Sequence, residues 1–300
     1  MDDAHKPNGD LVGEADESSA STAPSGSSMA PMLVGVLVED RYRLRDQIHE
    51  GPGGWVFAAQ DERTEEAVSL LLVRRWRQEP PDGARRLHEQ IRAAGRIHSD
   101  HVVRVLESGV RESGHSFVVM EPVERTRTGP LPWEEVRPMI LDLGAALTAV
   151  DDVGIVLSGL SPDMIFQARG PGGESRTKLL VLDLVGRHLG LGSKVALHGV
   201  ELESLRYLTP ECLLGHRAGR RAHVYAVGLS LLELVTGTHP WSARNPATFF
   251  ERPDGAAMEA GTAEVLELLP LPLRSIVARA LRSDPEERFA SAAELVAALP

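Results

Sequence analysis

The chain has 300 residues, 42% of them apolar, a formal net charge of -11 and one cysteine. That length supports one large core or two medium ones. The acidic balance argues against nucleic-acid binding through a basic face, and the lone Cys212 excludes an intrachain disulfide and gives no sign of an oxidising compartment.

Residues 1–32 are rich in Ser, Ala, Gly, Pro, Asp and Glu, with almost no large apolar side chains. Such a segment cannot bury enough surface to offset its ordering entropy, and a disordered acidic tail is expected. No basic region precedes an apolar one, so no signal peptide is expected. Met32 to Val38, the best apolar stretch, falls far short of the ~20 residues that span a bilayer. These features predict a soluble, cytoplasmic protein with no membrane or nucleic-acid partner.

From Leu33 the pattern changes. Tyr42 to Leu44 and Trp55 to Phe57 read as short strands flanking a Gly-rich turn, and Val68 to Val73 as a buried strand. Arg85 to Ile97 reads as a helix, and Val102 to Leu106 and Phe117 to Met120 as strands. After Pro122 the character is helical: Val136, Ile140, Leu143, Leu147 and Val150 form one apolar stripe, and Val224, Val227, Leu231 and Leu234 another. Between these helices lie two short strands, Met164 to Phe166 and Leu179 to Leu182, joined by the turn Gly170 to Gly173. Leu273 to Leu281 and Ser291 to Leu299 add two helices. A strand-rich region followed by a helical one is an α+β pattern.

Short motifs run through this pattern in a fixed order. They are His49-Glu50-Gly51-Pro52-Gly53-Gly54-Trp55-Val56, then Phe117 to Val123, Asp183-Leu184-Val185 and Thr209-Pro210-Glu211. Leu234 to Gly237 with Pro240-Trp241, and Asp284-Pro285 with Arg288-Phe289, complete the series. Together they resemble the bacterial Ser/Thr protein kinase family over Gly35 to Leu299: the G-x-G-x-x-G-x-V loop, gatekeeper and hinge, D-F-G, A-P-E and the final lobe motif. The resemblance implies a bilobal kinase-like fold. Its β-rich N-lobe with one helix would cover 33–123, and its α-helical C-lobe 124–300. It also implies a buried ion pair between Glu211 and Arg288. Nucleotide contacts would fall on Gly51, Gly54, Val56, Ser69, Met120, Glu121, Val123, Phe166 and Asp183, with Asp183 also a metal ligand.

Several groups that the resemblance would place in the catalytic machinery are missing. Phosphoryl transfer is mostly positioning and charge stabilisation. The strand lysine of V-A-I-K falls on Leu71, and its helix glutamate on Gln90, or on Glu89 after a shift of one. The H-R-D-L-x-x-x-N loop reads Leu157 to Met164: Ser158 replaces the arginine, Gly159 the base, Ser161 the following lysine and Met164 the metal-binding asparagine. A thioether is a poor ligand for a hard cation. Losing a positioned base typically costs ~10²–10⁴-fold in rate. Asp163 is either a displaced metal ligand or a turn residue. His223 stands where the family has an aspartate that holds this loop, and Leu157, Leu184 and Phe166 add apolar bulk at the lobe junction.

The expectation is a pseudokinase: an inactive module that scaffolds or allosterically regulates a protein partner, an active kinase or its substrate. ATP and Mg²⁺ are implied by the resemblance but not required by this reading. The alternatives are a divergent kinase using Asp183 and Asp163, or an ATP sensor without turnover. Ser193 and Ser204 are candidate phosphorylation sites in the Gly186 to Tyr207 segment.

Overall fold

The computed structural model describes residues 33–51, 53–74, 83–111, 114–170, 172–182, 206–240 and 256–300. Strands β1 (Leu37–Val38), β2 (Tyr42–Gly51), β3 (Gly54–Asp61), β4 (Ala67–Val73), β5 (Val105–Val110) and β6 (Ser116–Met120) form one six-stranded antiparallel sheet in the order β1-β2-β3-β4-β6-β5. β4 is buried along almost its whole length because both faces of the sheet are covered. Its side chains divide by strand alternation. Val68, Leu70 and Leu72 join one apolar cluster, and Leu71 and Val73 another. Helix α1 (Gly83–Ala94) packs on the second of these through Leu87 and Ile91.

The remainder is helical around a small sheet of β7 (Glu124–Arg125), β8 (Ile165–Arg169) and β9 (Ser175–Leu179). The helices are α2 (Trp133–Asp152), α3 (Pro210–Leu213), α4 (Arg221–Thr236), α5 (Ala256–Leu266), α6 (Leu271–Ala280) and α7 (Ala292–Ala297). The α2 stripe of Val136, Ile140, Leu143, Leu147 and Val150 is wholly buried in the C-terminal core, as helical spacing demands. Gly237 ends α4 in the left-handed region at φ 68°, where its N–H returns to the Glu233 carbonyl. Ser291 caps α7 by accepting from the Glu294 N–H. No helix among the described residues is long and apolar enough to cross a membrane.

Several predicted elements shift. The first helix ends at Ala94, because Arg96 and Ile97 close a tight turn onto Ala93 and Ala94. Val102 and Val103 do not begin β5. The Val103 N–H donates to the Leu179 carbonyl at 2.9 Å, which ties this segment to the C-terminal lobe. β9 is the polar run Ser175 to Leu179, whereas Leu180 to Leu182 leave the ladder and bury in the two cores. α5 had no clear stripe to announce it.

Candidate functional site

One continuous apolar cluster crosses the junction between the lobes. It joins Val56, Leu71, Val118, Met120 and Val123 of the upper sheet and hinge to Phe166, Ala168, Leu180 and Leu182 below. Leu71 lies between Val56 and Val118 in the sheet register and is 2% exposed. Burying each such side chain contributes about 1.5–3 kcal/mol, so the junction is held by packing. Leu71 offers no charge to a phosphate.

Two hinge N–H donors are engaged from within. The Val123 N–H donates to the Ser69 hydroxyl at 3.0 Å, and both residues are buried. The Glu121 carboxylate accepts from Lys178 Nζ at 2.9 and 3.0 Å and from the Arg104 N–H at 2.8 Å. Its own N–H donates to the Arg104 carbonyl at 3.0 Å. This ion pair fastens the hinge to β9. Sequence reasoning missed Lys178, which lies 57 residues from its partner and carries no motif.

The Gly-rich turn is a hairpin in which Gly51 pairs with Gly54. Gly54 has φ 144°, and a Cβ there would lie 2.0 Å from the Leu72 carbonyl oxygen. Close approach of β3 to β4 therefore requires this glycine, independently of any phosphate. The Arg74 guanidinium stacks 4.3 Å from the Trp55 ring centroid and reaches Glu50 at 3.2 Å, bracing the hairpin. On α1, Glu89 is exposed and paired with Arg85, while Gln90 is half-buried. The Gln90 side-chain oxygen is buried with no hydrogen-bond partner among the described residues.

The loop that resembles H-R-D is closed by backbone. Gly159 bridges Leu208, and a Cβ on it would lie 2.5 Å from the Tyr207 carbonyl oxygen. Any side chain at this position needs the 207–208 backbone to move. Ser161 and Met164 are buried, Met164 within the C-terminal apolar core. The Leu157 N–H donates to His223 Nε2 at 3.0 Å, and His223 Nδ1 lies 2.9 Å from Asp151 Oδ1. An accepting Nε2 puts the imidazole proton on Nδ1, directed at Asp151. His223 thus holds the loop through a buried relay. Asp163 is the middle residue of a 3₁₀ turn, Pro162–Met164. Its side chain, and Asp183, Leu184, Ser193 and Ser204, lie outside the described residues.

Glu211 and Arg288 form a buried bidentate pair at 3.1 and 2.8 Å. The remaining guanidinium donors reach the carbonyls of Arg282, Arg221 and Ser283. This pairing connects α3 to the loop before α7 and leaves no donor of Arg288 stranded.

A cavity of about 140 Å³ sits beside the junction, lined by His49, Thr126, Pro162, Phe166 and Glu233 among others. Of the positions at which the motifs predict nucleotide contacts, it touches Phe166 alone. Burial pushes the Glu233 carboxyl up, and the Tyr207 hydroxyl donates to it at 3.1 Å. Among the described residues no group of three His, Cys, Asp or Glu could hold a metal ion. Toward Mg²⁺–ATP, Leu71, Gly159 and Met164 supply neither cation, base nor hard ligand.

An antiparallel sheet with one helix, joined by a short hinge to a helical lobe, is the two-lobed architecture of protein kinases. The family model for the protein kinase domain matches residues 42–298, and the chain belongs to that family. It is similar to Ser/Thr-protein kinase PknE of Mycobacterium bovis, at 25% identity over 264 residues, covering 86% of this chain and 45% of the relative. It is similar also to pkn2 of Myxococcus xanthus, at 26% over 273 residues, covering 88% and 32%, and to PksC of Streptomyces coelicolor, at 27% over 275 residues, covering 85% and 48%. The chain therefore spans less than half the length of these curated relatives. Its fold is similar to the crystal structure of the Mycobacterium tuberculosis PknI kinase domain, with a TM-score of 0.59 at 20% identity over 88% of this chain and 97% of that one.

Proposed function

We propose that this chain is a pseudokinase, a protein-kinase fold that scaffolds or allosterically regulates a protein partner in signalling without transferring phosphate. The observation that carries the proposal is Leu71, buried in the apolar cluster between Val56 and Val118 at the position where kinases need a cation for phosphate. The Ser69 hydroxyl supports it by occupying the Val123 N–H. The partner is an active kinase or its substrate. ATP and Mg²⁺ are not required, and the single carboxylate of Asp183 would give a metal one ligand and no base.

The test is phosphorylation of a general protein substrate by the purified chain with Mg²⁺–ATP, beside Asp183→Ala. The expected result is background incorporation for both. Incorporation abolished by Asp183→Ala would replace this reading with a divergent Ser/Thr kinase.

A further inference from the structure

A second cleft, of about 340 Å³, shares no lining residue with the cavity beside the junction. Its charged walls are Arg104, Arg169, Arg176 and Lys178 on one side of the balance and Asp100 and Glu121 on the other. In a chain of net charge -11 that concentration of cations is unusual. Two of the four are neutralised internally: Lys178 pairs with Glu121 and Arg176 with Glu174. The field of Asp100 also reaches Arg176. Arg104 and Arg169 are exposed, and neither guanidinium has a hydrogen-bond or ion-pair partner among the described residues. Ser99 adds a hydroxyl, whose oxygen accepts from the His101 N–H at 3.2 Å and whose proton remains to be donated.

We infer that this cleft binds a phosphorylated Ser or Thr side chain of a protein partner. Guanidinium groups present paired donors that match phosphate oxygens, and such charge-assisted bonds are about twice as strong as neutral ones. Two unpaired guanidinium forks offer paired donors to the three terminal oxygens of a phosphate, more than the two oxygens of a single carboxylate can accept in bidentate fashion. The Lys178–Glu121 pair, nearly buried, gives the cleft a fixed floor on the hinge itself. The inference rests on the reading of this chain as a binder of a kinase or a kinase substrate. Intrinsic ATP-dependent turnover would sink that reading without altering the outcome below.

The experiment is fluorescence anisotropy of a labelled phosphoserine peptide with Gly/Ala flanks against the full chain. Parallel probes carry Ser or Glu in place of phosphoserine, and inorganic phosphate serves as competitor. The expected result is saturable binding of the phosphoserine probe, displaced by phosphate, with the Ser probe at least about tenfold weaker. The double variant Arg104→Ala/Arg169→Ala should lose about tenfold or more in affinity at unchanged melting temperature, while Arg92→Ala, on α1, binds as wild type. Arg104→Lys/Arg169→Lys should fall between, because lysine keeps the charge and loses the fork. No binding by the wild type, equal binding of the Ser probe, or undiminished binding by the double alanine variant would overturn the inference. A Glu probe as tight as phosphoserine would also overturn it, in favour of a carboxylate site.

Discussion

The Val123 amide and the Ser69 hydroxyl meet at 3.0 Å inside the lobe junction, so a backbone donor of the hinge is consumed by a side chain of β4. Ser69 is the residue where the family's V-A-I-K motif has alanine, and its neighbour Leu71 replaces the lysine of the same motif. One short strand thus both withdraws a hinge donor and removes a phosphate partner. Ser69→Ala would strand the Val123 N–H in an apolar setting. The expected loss is about 1–3 kcal/mol in urea unfolding, measured alongside Ser108→Ala on β5 as a control of small effect.

Gly159→Asp restores the family's base in name only. Its Cβ would lie 2.5 Å from the Tyr207 carbonyl oxygen, a backbone atom. The variant should lose about 1–3 kcal/mol through overpacking and gain no phosphotransfer. Chemical unfolding and a phosphorylation assay check both halves.

His223→Asp returns the family's aspartate to the start of α4. It would keep an acceptor near the Leu157 N–H but set a second carboxylate against Asp151, which His223 now meets at 2.9 Å. Two ionised carboxylates at such a distance repel, and protonating one relieves the strain. The variant should therefore be less stable than wild type at pH 7.5, with the deficit shrinking at pH 5. Urea unfolding at both values measures it.

Burial holds His239 neutral in the folded state, with its pKa lowered to about 3. The unfolded chain takes up a proton near the ordinary value of about 6.5. A depressed folded pKa means that its contribution is fully present above about 6.5 and is lost as pH falls toward 3, by at most about 1.4 kcal/mol per pH unit. Glu233, raised by burial, works in the opposite sense, its contribution being lost as pH rises. Comparing wild type with His239→Asn cancels that background. The wild type should lose more stability between pH 7.5 and pH 5.5 than the variant does.

Arg288→Met should cost about 3–5 kcal/mol, because Glu211 would keep a buried charge with no partner. The double variant Glu211→Leu/Arg288→Met should cost less than the sum of the two single changes. A double-mutant cycle from denaturant unfolding gives the coupling.

The elements that sequence made legible are those with a strong period or a motif. β4 reads as a buried run, the α2 stripe has clean helical spacing, and the Gly51–Gly54 turn, the 117–123 hinge and Arg288 are placed by motif order. What stayed hidden depends on partners distant along the chain. Lys178 and Glu121 show no mutual signal until β9 and the hinge are side by side. Val102 and Val103 look like strand residues, yet they are drawn to Leu179 by tertiary pairing. Gly159 reads as a lost base, whereas its tight contact with Tyr207 appears only when the 207–208 backbone is in place. Gly54 reads as either a phosphate-loop or a plain hairpin-turn glycine, and the Leu72 carbonyl alone demands it. α5 was missed because Gly261 and the alternation of small and acidic residues give it no apolar stripe.

The most direct measurement is the melting temperature of the purified chain with millimolar ATP, with and without Mg²⁺. A junction packed by Leu71, Met120 and Phe166 predicts no shift in either condition. A Mg²⁺-dependent rise lost in Asp183→Ala, or a metal-independent rise, would show that nucleotide enters and would contradict the account.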